Sequence, residues 1–343
     1  LTLQCINSNA NSINVSAHEA TLQQLLLELL ITVKLQGYKF ITVTPRTHEH
    51  FLSSHSLPGK NLHDIFGWNL PFFLEALSPM LQKIMHEAGM LEYKDGFMRS
   101  KLRISSVDND LFLHSAFPTT DSDAVFFGPD TYRFVRFIRH SFEKDKSESI
   151  SQQYSKKPIR ILDIGCGTGA GGIAAVRALP QGCPFELTLN DVNQNALELA
   201  CINARAAKIP VRRMLGDILV ENVFDTLDNN FDLIISNPPY MKDESARTYR
   251  DGGAQLGLSL SIRIFQIAFE HLAPGGKLLL YTGVAMTNQS DPFLATIKPW
   301  LMAADCDWSY EEIDPDIFGE ELASPSYSKA YRIAAVGLLV RRH

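Results

Sequence analysis

The sequence predicts an α/β protein built on a doubly wound, mostly parallel sheet, with a smaller α+β region ahead of it. Three observations carry that expectation. Short β-branched runs at 159–164, 185–189, 211–215 and 231–236 alternate with helical stretches, the order of parallel strands joined by crossover helices. The first run enters a glycine-rich turn, Gly165-Cys166-Gly167-Thr168-Gly169, that opens a helix near 171–179. The next three strand ends carry Asp191, Asp217 and Asn237, and open α/β sheets gather their ligands at such ends.

The chain has 343 residues, enough for two cores, and its 45% hydrophobic and 20% charged content is that of an ordinary globular protein. A net charge of −6 supplies no global attraction for nucleic acid, so any such contact needs a local basic patch. Five cysteines (Cys5, Cys166, Cys183, Cys201 and Cys306) form no Cys-x-x-Cys pair, which suits a reducing compartment. No basic-then-apolar leader opens the sequence, and the apolar run 25–33 is broken by Glu28 and too short to span a bilayer. A cytoplasmic protein without a membrane partner is expected.

In the first 120 residues, Leu22, Leu25, Leu26, Leu29 and Leu30 recur at helical spacing and predict a helix over 17–35. Residues 38–44 read as a strand. His48, Glu49, His50 and His55 follow, in a spacing that matches no common ligand set, and no metal is expected. A helix at 74–88, ended by Gly89, precedes a hairpin over 90–105 with its turn at Lys94-Asp95-Gly96. Helix then hairpin is the order of winged-helix modules, here within 62–115. Arg99, Lys101 and Arg103 alternate along the second strand, so they should share one face. That face is either a small nucleic-acid contact or a solvated strand surface. The expected division is an accessory, substrate-recognition region at 1–120 and a cofactor-binding domain at 121–343.

At the joint, 123–131 leads into a helix at 132–140, with Asp130 or Thr131 as its cap, and a polar stretch at 141–158 reads as a loop. Glycines without Cβ let the backbone approach a ligand closely, and Gly167 to Gly172 also satisfies the weaker pattern of nicotinamide-binding proteins. Asp163 stands two residues ahead of the glycines. Asp191, 22 residues beyond Gly169, can accept from both ribose hydroxyls, and Asp217 from an adenine amino group. Three acids with no lysine or arginine at the turn suit a phosphate-free, cationic ligand better than a pyrophosphate.

Asn237-Pro238-Pro239-Tyr240 follows the strand 231–236. The prolines fix φ and donate nothing, so the chain stays rigid and its carbonyls face outward. A planar NH2 could donate to the Asn237 side-chain oxygen and the Pro238 carbonyl, while Tyr240 stacks on the planar group. Together with the glycine turn and the strand-end acids, this stretch resembles the amino-methylating (Asn-Pro-Pro-Tyr type) class I methyltransferases that use S-adenosylmethionine. It is similar to release-factor glutamine, N6-adenine and ribosomal-RNA small-domain methyltransferases. The resemblance covers about 121–342 and implies a seven-stranded Rossmann-like sheet. It further implies S-adenosylmethionine against Asp163, Gly165, Gly167, Gly169, Asp191, Asp217 and Asn237. Asn237, Pro238 and Tyr240 would be catalytic, Pro239, Tyr240 and Arg250 would meet the acceptor, and 127–131 would line the methionine end. One departure is Gln194, where many relatives have proline.

Arg247, Tyr249 and Arg250 precede Asp251-Gly252-Gly253-Ala254, a polar loop placed to shape a substrate pocket. It resembles the Asp-Gly-Gly stretch of release-factor glutamine methyltransferases but is one residue longer, and it also reads as a glycine hinge. Ile262, Phe265, Phe269 and Leu272 give the next helix an apolar stripe. A strand at 277–282, a helix at 292–303 and an antiparallel pair at 308–313 and 331–340 complete the pattern, with a long polar connection at 314–329.

The expected activity is methyl transfer to a planar amino or amide nitrogen, with an RNA or DNA base favoured as acceptor. The alternative acceptor is a glutamine of a release factor or another translation protein. Two other classes are a catalytically silent binding protein of the same fold and a nicotinamide dehydrogenase. A zinc hydrolase lacks its ligand set, and no Pro-Cys stands at the reactive strand end for carbon methylation.

Overall fold

The computed structural model describes residues 6–7, 17–147, 157–217, 220, 230–243, 249–287 and 290–343. The chain begins with a two-residue strand β1 (Ile6–Asn7) and the leucine-rich helix α1 (Ala17–Leu35). Residues 38–44, expected as a strand, form no ladder. A single backbone bond, Ser106 N to the Phe40 carbonyl at 2.8 Å, is joined by side-chain hydroxyls: Tyr38 Oη donates to the Ile104 carbonyl at 2.8 Å, and Phe40 N donates to Ser106 Oγ at 3.1 Å. His48, Glu49 and His50 then lie on a helix, α2 (Pro45–Ser54), capped by Thr44 rather than in a loop. The next helix, α3 (Pro79–Glu87), starts five residues later than expected because Ser78 caps it and Pro79 takes its first turn.

The hairpin β2 (Leu91–Lys94) and β3 (Phe97–Ser100) is shorter than predicted, and a second hairpin, β4 (Leu102–Val107) and β5 (Asp110–Ser115), follows. The chain breaks register at Lys101, so Arg99, Lys101 and Arg103 do not share a face. Arg103 is 4% exposed on β4, its Nε donating to the Gly67 carbonyl at 2.9 Å. The expected basic strip is therefore absent. α4 (Pro129–Ser147) runs seven residues beyond His140, since the Lys and Glu residues there are good helix formers; the rest of the predicted loop, 148–156, lies outside the described residues.

The remaining elements are β6 (Ile159–Ile164), α5 (Ala170–Ala178), β7 (Phe185–Asp191), α6 (Gln194–Ala206), β8 (Val211–Leu215) and β9 (Phe231–Ser236). After them come α7 (Ser259–Glu270), β10 (Leu272–Thr287), α8 (Pro292–Ala303), β11 (Cys306–Asp314) and β12 (Ala330–Arg342). They form one sheet in the order β1-β8-β7-β6-β9-β10-β12-β11. The strands from β8 to β10 pair in parallel, and β12 lies antiparallel between β10 and β11. These are the seven expected strands. The eighth, β1, pairs with β8 through two residues, too few to leave a periodic signal.

Alternation along β10 shows how the two layers are filled. Leu279 and Tyr281 join the core beneath α4, α5 and α6, whereas Leu278 and Leu280 join the core beneath α7 and α8. Each such fully buried side chain stabilises the fold by about 1.5–3 kcal/mol. A third core joins α1, α3 and the second hairpin to Ala196, Leu199 and Ile202 of α6. Asn203 fixes that junction: its side chain exchanges hydrogen bonds with the backbone of Leu113 at 2.8 and 3.2 Å and donates to the Thr168 carbonyl at 3.0 Å. The N-terminal region is thereby tied to the glycine turn. Among the described residues, no helix is long and apolar enough to cross a membrane.

Candidate active site at the carboxyl ends of the strands

A cavity of about 630 Å³ opens at the carboxyl ends of β6, β7 and β9, and the N-terminal region forms its far wall. At one end the glycine turn is held by carboxylates and backbone amides. Cys166 N donates to the Asn190 carbonyl at 2.9 Å, and the Asn190 side chain donates to the carbonyls of Met214 and Gly216, clamping β7 to β8. Asp191 accepts from Gly167 N and Asn193 N, each at 2.9 Å. Asp163 accepts from Gly172 N at 2.7 Å and braces the start of α5. Burial pushes the Asp163 carboxyl up to about 7, the Asp191 charge adding to the rise. Asp191 is likewise raised by burial.

Gly165 and Gly167 adopt positive φ (65° and 52°) and line the cavity, and a Cβ on either would meet no atom within 4 Å. They leave open a cradle that side chains would fill. Gly169 does not line the cavity. A Cβ there would come within 3.2 Å of Ala200, so this glycine seats α6 against the turn. Asp217 is exposed at the cavity margin.

At the other end, Ser236 Oγ donates to the Ile164 carbonyl at 2.9 Å and locks the tip of β9 to β6. Asn237, Pro238, Pro239 and Tyr240 then line the cavity in succession. Tyr240 is 7% exposed, and its hydroxyl donates to Asp130. Asp130 also accepts from Tyr281 Oη and Arg133 Nη1, both at 3.0 Å, and Arg133 continues to Asp314 at 2.8 Å. Burial raises the Asp130 carboxyl, and these donors oppose the rise. Asp130 is thus the anchor of Tyr240, and not the helix cap the sequence suggested. Phe127 and Thr131 line the cavity with it.

The loop after the reactive stretch presses on Tyr240 from behind. A Cβ on Gly252 would sit 2.0 Å from the Gly257 carbonyl oxygen and 2.7 Å from Tyr240 Cα, and one on Gly257 would sit 2.1 Å from the Tyr240 carbonyl oxygen. The Asp-Gly-Gly stretch therefore has a packing reason for its glycines. Arg250 lines the cavity, with Asp243 at 3.5 Å and Glu321 in contact with its guanidinium. Tyr249 Oη donates to the Thr119 carbonyl at 2.6 Å, while Arg247 lies outside the described residues. The 314–329 connection, which carried no assignment, brings Phe318 to the cavity wall and Glu321 to Arg250.

Sequence reasoning missed Tyr281, Asn203, Phe318 and the anchoring role of Asp130. Tyr240 and Tyr281 lie 110 and 151 positions from Asp130, so no local spacing announces either bond.

Residues 147–291 match the family model described as the methyltransferase small domain. The match covers less than half of the chain. The ribosomal RNA small subunit methyltransferase C of Serratia proteamaculans is 33% identical over 119 residues, covering 35% of this chain and 29% of that protein. The Salmonella arizonae protein of the same name is 34% identical over 119 residues, covering 35% of this chain and 30% of its own length. This chain thus spans less than a third of the curated relatives it matches. Among solved structures, a putative SAM-dependent methyltransferase from Streptococcus mutans superposes with a TM-score of 0.46 at 13% identity, over 70% of this chain and 55% of that one. The matched segment contains both the glycine turn after β6 and the Asn237-Pro238-Pro239-Tyr240 stretch after β9.

Proposed function

We propose that the chain is an S-adenosylmethionine-dependent N-methyltransferase whose acceptor is a planar amino nitrogen of a nucleic-acid base, RNA before DNA. One observation carries the reading: Asn237-Pro238-Pro239-Tyr240 shares a single cavity with Asp191 and the open glycine cradle. The residues present fit the cofactor. Gly165 and Gly167 leave room for close approach, Asp191 keeps lone pairs for the ribose hydroxyls, and Asp217 can accept from adenine. When bound, the cofactor supplies an electrophilic methyl group.

The chain's own residues orient the acceptor. The Asn237 side-chain oxygen and the Pro238 carbonyl accept from the NH2 and draw its nitrogen toward tetrahedral geometry, which frees the lone pair. Pro239 keeps the turn rigid, and Tyr240, anchored by Asp130, supplies an aromatic wall for the planar group. No strong base is needed, because the proton leaves after the nitrogen becomes cationic. Arg250 faces the acceptor side of the cavity with its charge balanced by Asp243 and Glu321. The division at about residue 120 between recognition region and catalytic domain, with a winged-helix-like part at 62–115, belongs to this proposal. An RNA acceptor would be met in the cytoplasm.

RNA is favoured because the relatives that match the catalytic segment are named for ribosomal RNA. The second reading, a glutamine of a translation protein, rests on Asp251-Gly252-Gly253, in which Gly252 is already required by packing against Tyr240 and Gly253 by its positive φ beside Ser259. Ribosomal RNA, duplex DNA and release factor, each incubated with the protein and labelled S-adenosylmethionine, separate the readings. Label is expected in an amino group of an RNA nucleoside. Label confined to release factor would overturn the nucleic-acid acceptor, and label in none despite cofactor binding would mark a silent protein.

A further inference from the structure

The N-terminal wall of the cavity holds two polar groups that the proposed transfer does not use. Arg103 is 4% exposed, and its Nη2 is enclosed without a hydrogen-bond partner. No carboxylate pairs with it among the described residues; the ionisable groups that act on it include the hydroxyls of Tyr38 and Tyr132 and the rings of His48 and His114. Burial draws its guanidinium down to about 10, so it keeps its charge at neutral pH. His48 lies beside it, 1% exposed, with its ring stacked on Phe117 at 4.1 Å. His48 Nε2 is 2.9 Å from the Trp68 carbonyl, which can only accept, so the proton sits on Nε2 and Nδ1 is left as an acceptor. That Nδ1 is also enclosed without a partner. Burial and the Arg103 charge hold His48 down at about 4, neutral under ordinary conditions. Both residues line the cavity, and Glu49, also on its wall, is exposed.

A buried cation without a counter-ion is expensive to keep unless something else supplies the charge. The glycine end solves the opposite problem with backbone amides; at this end two residues of the cavity wall each keep one polar atom without a partner, the donor Nη2 of Arg103 and the acceptor Nδ1 of His48. We propose that Arg103 binds an oxyanion entering the N-terminal side of the cavity, with His48 Nδ1 accepting a hydrogen bond from the same ligand. Two sources carry that chemistry. One is the α-carboxylate of the methyl donor's amino-acid tail, whose ammonium would face His48. The other is a phosphate of the acceptor nucleotide, whose neighbouring hydroxyl would do so. The inference rests on the methyl-donor reading of the cavity.

The test uses the full chain and three probes: S-adenosylhomocysteine, methylthioadenosine (which lacks the amino-acid tail) and inorganic phosphate added to protein saturated with methylthioadenosine. A carboxylate source predicts that S-adenosylhomocysteine outbinds methylthioadenosine in the parent protein and that Arg103→Met erases about tenfold or more of that advantage. A phosphate source predicts an unchanged ratio and loss of phosphate binding in the same variant. Arg103→Lys keeps the charge without the fork and should give a smaller loss, and it decides the matter if Arg103→Met does not fold. His48→Phe should weaken the affected probe several-fold. Folded Arg103 variants that keep both the ratio and phosphate binding would overturn the inference. Failure of the parent protein to bind either adenosine compound would overturn the methyl-donor reading instead.

Discussion

The two ends of the cavity are held by different means. At the glycine end, Asp163, Asp191 and Asn190 bind backbone groups close by in the fold, at the start of α5, in the turn after β6 and at the end of β8. At the reactive end, Tyr240 is held by side chains brought from α4 and β10, through the cluster of Asp130, Tyr281 and Arg133. The first arrangement is a property of the sheet and its turns. The second depends on long-range packing. A ligand end that must fit one invariant cofactor can be built from backbone, whereas an end that must fix one aromatic ring needs a specific anchor.

Breaking each end should give a different signature. Asp191→Ala removes the acceptor for Gly167 N and the acceptor proposed for ribose together, and cofactor affinity measured by calorimetry should fall by about a hundredfold. Asp130→Asn leaves the glycine end untouched, so cofactor affinity should hold while turnover falls by about tenfold to a hundredfold through the misplaced ring. Within that end, Tyr240→Phe should cost less activity than Tyr240→Ala, because the ring acts and the hydroxyl only positions it. Equal losses would show that the hydroxyl itself takes part.

Smaller effects sharpen the contrast. Gly252→Ala forces a Cβ onto the Gly257 and Tyr240 backbone, and chemical denaturation should show a loss of about 1–3 kcal/mol. Asp163 has its carboxyl at about 7 in the folded chain against an ordinary 3.8, so folding takes up a proton between those values. Its contribution is full below about pH 4, declines as pH rises toward 7 and is flat above. Asp163→Asn should therefore flatten the stability–pH curve across that window. An unchanged slope would place the titrating group elsewhere.

The glycine end was legible in the sequence because its signals are local. A strand, three alternating glycines and acids at successive strand ends fall within short stretches, and the sheet brings them together without further information. Asn237 to Tyr240 could be read for the same reason. Asp130 was read as a cap and as part of a pocket-lining segment, but not as an anchor, since nothing near it in the chain points to a tyrosine 110 positions away. Arg103 was misplaced because strict alternation was carried across Lys101, where the register breaks between two hairpins. Residues 38–44 looked like a strand by composition, yet the hydroxyls of Ser106 and Tyr132 meet the backbone of Phe40 and Thr42 where a ladder would. The longer α4 and the two-residue β1 show the same limit at element ends, where packing and pairing decide and propensity does not.

In the proposed reaction, methyl transfer takes place at Asn237-Pro238-Pro239-Tyr240, while the glycine turn and Asp191 carry most of the cofactor's binding. Asn237→Ala, assayed in single turnover with labelled methyl donor and in parallel for S-adenosylhomocysteine affinity, tests it most directly. The expected result is a loss of at least about a hundredfold in the transfer step with affinity changed by no more than a few-fold. Transfer that persists at the parent rate with affinity intact would contradict it.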